Sequence, residues 1–130
     1  MLLHAVRVLR SILRERRKAR SPAWRRVRDD HIAEHPTCAA CGGRVRVQVH
    51  HVRPYHLYPE RELDRTNLVS LCMGRRECHL LVGHGGSWSC YVATVRELAG
   101  RIHEHPDLRM SLEGECRQLR ADRRHETKRD

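Results

Sequence analysis

Four short stretches between residues 38 and 84 decide the reading. They are CAAC (Cys38–Cys41), VHHVRP (Val49–Pro54), NLVSLC (Asn67–Cys72) and CHLLVGH (Cys78–His84). Two chemistries are interleaved in them. The cysteines fall in two pairs, Cys38/Cys41 and Cys72/Cys78, each flanking a predicted hairpin segment. Two residues between Cys38 and Cys41 let both sulfurs reach one tetrahedral ion, and Gly42-Gly43 permits the tight turn beside them. Folding the hairpin brings the second pair to the first. A closed four-thiolate set suits a structural zinc rather than a catalytic one. The second pair has five intervening residues, more than zinc fingers use, and the loop between them has to absorb the excess.

The hairpin follows from periodicity. Val45, Val47 and Val49 alternate with Arg44, Arg46, Gln48 and His50, which predicts a half-buried strand. By parity His50 lies on the face of Arg46 and Gln48, while His51 continues the valine face. The two neighbours therefore have different jobs. Asn67–Cys72 is the second strand. Between them runs a loop that Tyr55, Leu57, Tyr58 and Leu63 pin to the body, with Glu62 and Asp64 capping the entry to Asn67. A short helix starts at Cys78 and breaks near Gly83. Trp88 and Tyr91 then cover the edge of the site or pack on Trp24.

Outside this stretch the reading is coarser. Residues 1–20 predict a basic amphipathic helix, with Leu2, Val6, Leu9 and Leu13 on one face and Arg7, Arg10, Arg14 and Arg17 beside them. Ser21-Pro22 opens a helix that runs to Glu34, anchored by Trp24, Val27 and Ile32, and His35-Pro36 closes it. Trp24 is expected as a core plug over the zinc site, and His31 and His35 as surface histidines. Residues 92–130 predict helices separated near Pro106, with stripes Val92, Val95, Leu98, Ile102 and Leu108, Leu112, Cys116, Leu119. Cys90 and Cys116 are expected as small buried residues. The domain plan is thus 1–20, 21–91 and 92–130.

Composition bounds the class. The 130 residues are 39% apolar and contain no Phe, which leaves a thin core in need of a staple. The formal charge is +10, and only Lys18 and Lys128 among the basic residues are not Arg. Arg presents a planar fork that matches phosphate oxygens, so nucleic acid is the expected partner ahead of an anionic membrane. Residues 92–130 hold nine basic and eight acidic residues and add little to that field. No stretch reaches the roughly 20 apolar residues of a membrane span. Arg7, Arg10 and Arg14 interrupt the apolar N-terminus, unlike a secretory signal. A reducing cytoplasm is expected, where paired cysteines bind metal more often than each other.

The order CxxC, VHHVRP, an Asn before a strand and then Cys-His resembles the HNH endonucleases, the ββα-metal family. The similarity spans about Trp24 to Tyr91 and is nearest to the small phage-type and bacterial members. The three family letters correspond to His51, Asn67 and His79. Many members carry a Lys a few residues after the last His, where this chain has Leu-Leu-Val-Gly-His84.

The resemblance implies an α+β, ββα-metal core with a structural zinc on Cys38, Cys41, Cys72 and Cys78, flanked by N- and C-terminal helices. It implies metal-dependent hydrolysis of DNA phosphodiester bonds leaving 5′-phosphate ends. His51 is then the general base, Asn67 fixes the hairpin loop and orients His51, and His50, His79 and His84 are the candidate ligands of a catalytic Mg²⁺, Mn²⁺, Ni²⁺ or Zn²⁺. Arg44, Arg46, Arg53, Arg75 and Arg76 would meet the DNA, mostly at phosphates. Phage packaging or restriction proteins are candidate partners. The alternative is a zinc module that binds nucleic acid without cutting it, which leaves His50, His51 and His79 without a task.

Overall fold

The computed structural model describes residues 19–126. The helix expected over residues 1–20 therefore lies outside the described residues, apart from its last two positions. In the described part the chain is α+β, as expected. Helix α1 (Trp24–Glu34) precedes a two-stranded antiparallel sheet of β1 (Val47–His51) and β2 (Leu68–Cys72). A single π-helical turn (His79–Gly83) follows, then α2 (Val95–Glu104) and α3 (Asp107–Glu126).

Local chemistry sets these boundaries. Ser21 Oγ accepts from the Ala23 amide at 3.2 Å, and the Ser21 carbonyl accepts from Trp24 at 3.0 Å, so the chain is already turning before α1 begins. The helix stops at His35, whose successor Pro36 resists further helix. The valine strand starts later than periodicity suggests. Arg46 sits at φ +51, a left-handed conformation that breaks the extended run, and Val45 outside it is 70% exposed. β1 begins at Val47, and its ladder pairs Val47 with Cys72, His50 with Val69 and His51 with Leu68.

β2 is the buried spine, with all five residues shielded from solvent. Its side chains meet Ala40, Leu81, Val82 and the α2 stripe of Val95, Ala99 and Ile102 in one cluster. Buried Ser70 is satisfied, because its hydroxyl donates to the His35 carbonyl at 2.7 Å. α3 docks through Cys116, and Gly86 makes the approach possible: at φ +83, a Cβ there would stand 2.9 Å from the Cys116 sulfur. The expected apolar stripe on α3 ends with Cys116, since Leu119 is 57% exposed.

Several expectations change. His31 is buried rather than on the surface, because α1 lies against the sheet and carries it inward. Cys90 is exposed, at a loop that stands off the core, whereas Cys116 is buried as expected. Leu57 and Leu63 face solvent and do not pin the loop after β1. That loop is held instead by hydrogen bonds through Asn67.

Candidate active site and metal centres

The hairpin and the π-turn build two clusters of potential metal ligands, the two such groups among the described residues. In the first, the sulfurs of Cys38, Cys41, Cys72 and Cys78 all lie within 4.8 Å of one another. Cys41 and Cys72 sulfurs are 3.7 Å apart. A tetrahedral zinc with Zn–S bonds of about 2.3 Å needs sulfurs about 3.8 Å apart, so this donor set fits the ion. The knuckle is preformed: the Cys38 amide donates to the Gly43 carbonyl, the Gly42 amide returns to the Cys38 carbonyl, and the Gly43 amide points at the Cys41 sulfur at 3.4 Å. A turn at Gly74–Glu77, with Glu77 at φ +47, takes up the long gap between Cys72 and Cys78.

The thiols are electrostatically coupled. A hydrogen bond from the Cys78 thiol holds Cys38 down to about 4. The same bond raises Cys78, and burial raises Cys72. Without a cation the cluster tolerates one thiolate and resists the next. A dication removes that conflict, because a coordinating thiol is deprotonated outright.

The second cluster is His50, His79 and His84. Their ligand nitrogens lie within 4.8 Å of one another, and their ring centroids are 4.9–5.2 Å apart. His50 comes from β1, and the other two bracket the π-turn. Their spacing of five residues misfits an α-helix, but one turn of π-helix closes i to i+5 and returns the chain to the same side. Gly83 completes the approach, since a Cβ there would lie 2.9 Å from Cε1 of His50.

The ring nitrogens are placed so that they could take a ligand. Nε2 of His50 and Nδ1 of His79 are buried and have no hydrogen-bond partner among the described residues. His84 Nδ1 lies 2.7 Å from the Cys90 carbonyl. A carbonyl only accepts, so Nδ1 carries the proton and Nε2 keeps its lone pair, the usual arrangement behind a metal-binding imidazole. Burial, then the neighbouring His79, drops His50 to about 3, and burial drops His79 to about 4. Both rings are neutral at pH 7, the form that binds a metal.

His51 does not join this triad. Its ring lies 4.5 Å from that of Trp24, tilted by 33°, on the α1 side of the strand. Trp24 therefore packs against His51 and is not the plug over the cysteine cluster expected from the sequence, because α1 crosses the valine face of β1. His51 Nε2 lies 3.0 Å from the Glu62 carbonyl, which makes Nε2 the donor and leaves the Nδ1 lone pair available. Burial lowers its pKa.

Asn67 is 1% exposed and ties both sides of the loop after β1. Its Oδ1 accepts from the Arg53 amide at 2.8 Å, and its Nδ2 donates to the carbonyls of Arg53 at 3.0 Å and Arg61 at 3.2 Å. Asp64 caps the short turn before it through the Thr66 amide and hydroxyl.

A further link was not visible in the sequence. The buried Glu62 carboxylate accepts from the Ser21 amide at 3.0 Å and pairs with Arg20 at 3.5 Å. Arg20 in turn lies over the rings of Trp24 and Tyr55. The segment entering α1 thus braces the residue whose carbonyl holds His51. Sequence periodicity carries no signal for such a contact.

Of the expected phosphate contacts, Arg44, Arg46, Arg75 and Arg76 are exposed, and Arg53 is half-buried over Tyr58. Arg75 and Arg76 share a cleft with Arg109, Arg117 and Arg120 of α3, floored by Leu80 and Leu81. Those helix arginines escaped the sequence reading because the segment is nearly charge-balanced overall. Trp88 covers one edge of the triad, 4.9 Å from the His84 ring and 5.5 Å from that of His79.

No helix among the described residues is long and apolar enough to cross a membrane. Neither the curated proteins nor the solved structures give a match to the chain. The family model for HNH endonuclease matches residues 38–85, from the first knuckle cysteine to one residue past His84, so the stretch that carries both clusters is similar to an HNH domain.

Proposed function

We propose that the protein is a metal-dependent DNA endonuclease that hydrolyses phosphodiester bonds to leave 5′-phosphate and 3′-hydroxyl ends. The observation that carries the reading is the convergence of His50, His79 and His84, with two buried ring nitrogens left unpartnered beside a separately held His51. A structural zinc on the four cysteines supports the scaffold.

The roles follow from the atoms. His50, His79 and His84 would hold one divalent cation, with Mg²⁺, Mn²⁺, Ni²⁺ and Zn²⁺ the candidates. Bound there, the cation supplies Lewis-acid stabilisation of the phosphoryl and leaving oxygens. His51 Nδ1 accepts a proton from the attacking water, a role that needs the neutral ring its burial favours. The water oxygen bonds to phosphorus, the bond to O3′ breaks, and O3′ leaves with a proton from solvent. Asn67 keeps the loop closed so that the Glu62 carbonyl fixes the His51 ring.

Binding rests on the arginines. Arg44, Arg46 and Arg53 from the hairpin would meet phosphates on one side. The Arg75/Arg76 cleft supplies another row, where two carboxylates, Glu77 and Glu113, stand against five guanidiniums and leave it positive. Such contacts position DNA without reading its sequence.

The test is nicking of supercoiled plasmid with each cation in turn, beside a chelator control and the His51→Ala variant. Cleavage with 5′-phosphate ends that His51→Ala abolishes supports the reading. Tight DNA binding with no cleavage under any of the four cations supports the non-catalytic zinc module instead.

A further inference from the structure

We infer that Trp88 is a stacking platform for an unpaired nucleobase beside the scissile phosphate, so that the substrate class is DNA with an unstacked base at the cleavage position. The inference rests on the nuclease reading for the identity of the phosphate, and on the structure for the platform.

Trp88 lies three residues beyond the end of the HNH match, so its placement belongs to this chain rather than to the matched domain. The loop that carries it is tied at both ends to the π-turn. The Gly86 amide donates to the Leu80 carbonyl at 2.9 Å, the Val92 amide to the Gly83 carbonyl at 3.0 Å, and His84 Nδ1 to the Cys90 carbonyl. Between these ties, Ser87 N–H donates to the His84 carbonyl, Cys90 N–H donates to Ser87, and the Ser87 and Ser89 hydroxyls bond to each other at 2.8 Å. The indole is thus held on a braced loop.

Its environment is two-sided. One side meets the rings of His79 and His84, yet the residue remains 55% exposed. Trp is ordinarily well buried, and this chain uses aromatics sparingly, with two Trp, three Tyr and no Phe. A large flat apolar surface is therefore left open directly beside His79 and His84, two of the three imidazoles that would hold a phosphate-bound cation.

The chemistry that matches a flat π-surface next to a phosphate site is a nucleobase, since every base has a π-face and stacks on aromatics without regard to sequence. Within an intact duplex both faces of a base are already covered by its neighbours. Only a base released from the stack, in a single strand, a bulge or a mismatch, can add Trp88 as a neighbour.

Two measurements test this. The first compares cleavage of a linear duplex with that of the same duplex carrying one unpaired base, by wild type, Trp88→Phe and Trp88→Ala. Wild type should favour the unpaired site, and Trp88→Ala should lower the ratio of unpaired to paired cleavage by roughly tenfold or more, the size of one base–aromatic stack. Trp88→Phe should keep most of the ratio. Equal loss on both substrates would make Trp88 only a wall of the triad and overturn the inference.

The second reads binding alone. In Trp24→Phe, Trp88 is the sole tryptophan, and with tryptophan-selective excitation a single-stranded DNA oligonucleotide should quench it while a fully paired hairpin of the same length should not. Quenching in that variant, with no plasmid cleavage by wild type, would sink the nuclease reading and keep the platform. Cleavage with no quenching and no substrate preference would sink the platform and keep the nuclease.

Discussion

His50 and His51 are adjacent at the end of β1 and turn their rings to opposite sides of the strand. His50 faces His79 and His84, and His51 faces Trp24. The alternation of a strand does this without any special device, because successive side chains point to opposite faces. In the proposed mechanism, two tasks that must not compete for one ring therefore fall to neighbouring positions.

That separation predicts different losses. His50→Ala should abolish binding of the catalytic cation, read by calorimetry on protein that keeps its cysteine-bound metal. His51→Ala should bind the cation and DNA as wild type does and cut about 10²–10⁴-fold more slowly, the usual contribution of a general base. If His51→Ala also loses the cation, the two histidines share one task and the assignment fails.

Burial sets the direction of the pH dependence. The His51 pKa lies below the ordinary imidazole value, with burial as the main cause. Burial therefore favours the neutral ring that the proposed base needs, and the acid limb of the metal-saturated cleavage profile should lie below the ordinary imidazole range. Stability with the cysteine cluster loaded and the histidine triad empty follows the same sign. Unfolded imidazoles take up protons near pH 6.5, whereas His50 and His79 in the fold resist until about 3 and about 4. The unfolded chain binds more protons across that window, so stability is full above pH 6.5 and declines as pH falls. Urea midpoints measured from pH 7 to pH 4 should drop steadily, and a flat series would contradict the buried neutral rings.

The cysteine cluster predicts dependence of the fold on metal. Structural zinc binding in small domains is worth roughly 10–16 kcal/mol, comparable to or larger than the roughly 5–15 kcal/mol that holds a whole domain. A strong chelator, or Cys38→Ser, should therefore unfold the hairpin region, seen as loss of the cooperative thermal transition. An unchanged melting temperature in chelator would rule out the structural role.

That these residues cluster was legible because candidate ligands obey spacing. CxxC, the paired His50-His51 and the Cys78-His79 step each state a local geometry that survives folding. The five-residue gap from His79 to His84 looked awkward for an α-helix, and the π-turn resolves it. Contacts between distant segments were not legible. Trp24 packs at the other centre from the one expected, and His31 and Leu119 lie on the other side of the surface, because which face of a helix meets its neighbours depends on a crossing that a weakly amphipathic sequence does not encode. The Glu62 brace escaped for the same reason: it joins residues 20–21 to residue 62 through one carboxylate.

Asn67 offers a test of loop closure apart from chemistry. Asn67→Asp preserves size but replaces the amide donor with an acceptor facing the carbonyls of Arg53 and Arg61. Leaving those buried groups unsatisfied should cost about 1–3 kcal/mol. The variant should melt lower and cut more slowly while its cation affinity changes little, because Asn67 is not a member of the imidazole triad. A wild-type melting temperature would show that the loop does not depend on this residue.

The arginine cleft predicts a change in salt response rather than in chemistry. Arg109 donates to the Arg76 carbonyl and Arg120 to that of Gly86, so both also hold structure. Arg75, Arg76 and Arg117 are the better probes, being exposed side chains on the rim. Arg117 pairs with Glu113 at 3.2 Å, but its side chain is 77% exposed, and a surface pair of that kind contributes at most about 1 kcal/mol and exchanges readily for a phosphate. Each lost phosphate contact should reduce the slope of log K against log salt by about 0.9. The triple alanine variant should therefore bind duplex DNA with a slope shallower by roughly 2–3, weakened alike across unrelated sequences. An unchanged slope would remove the cleft from the DNA path and leave Arg44, Arg46 and Arg53 to carry it.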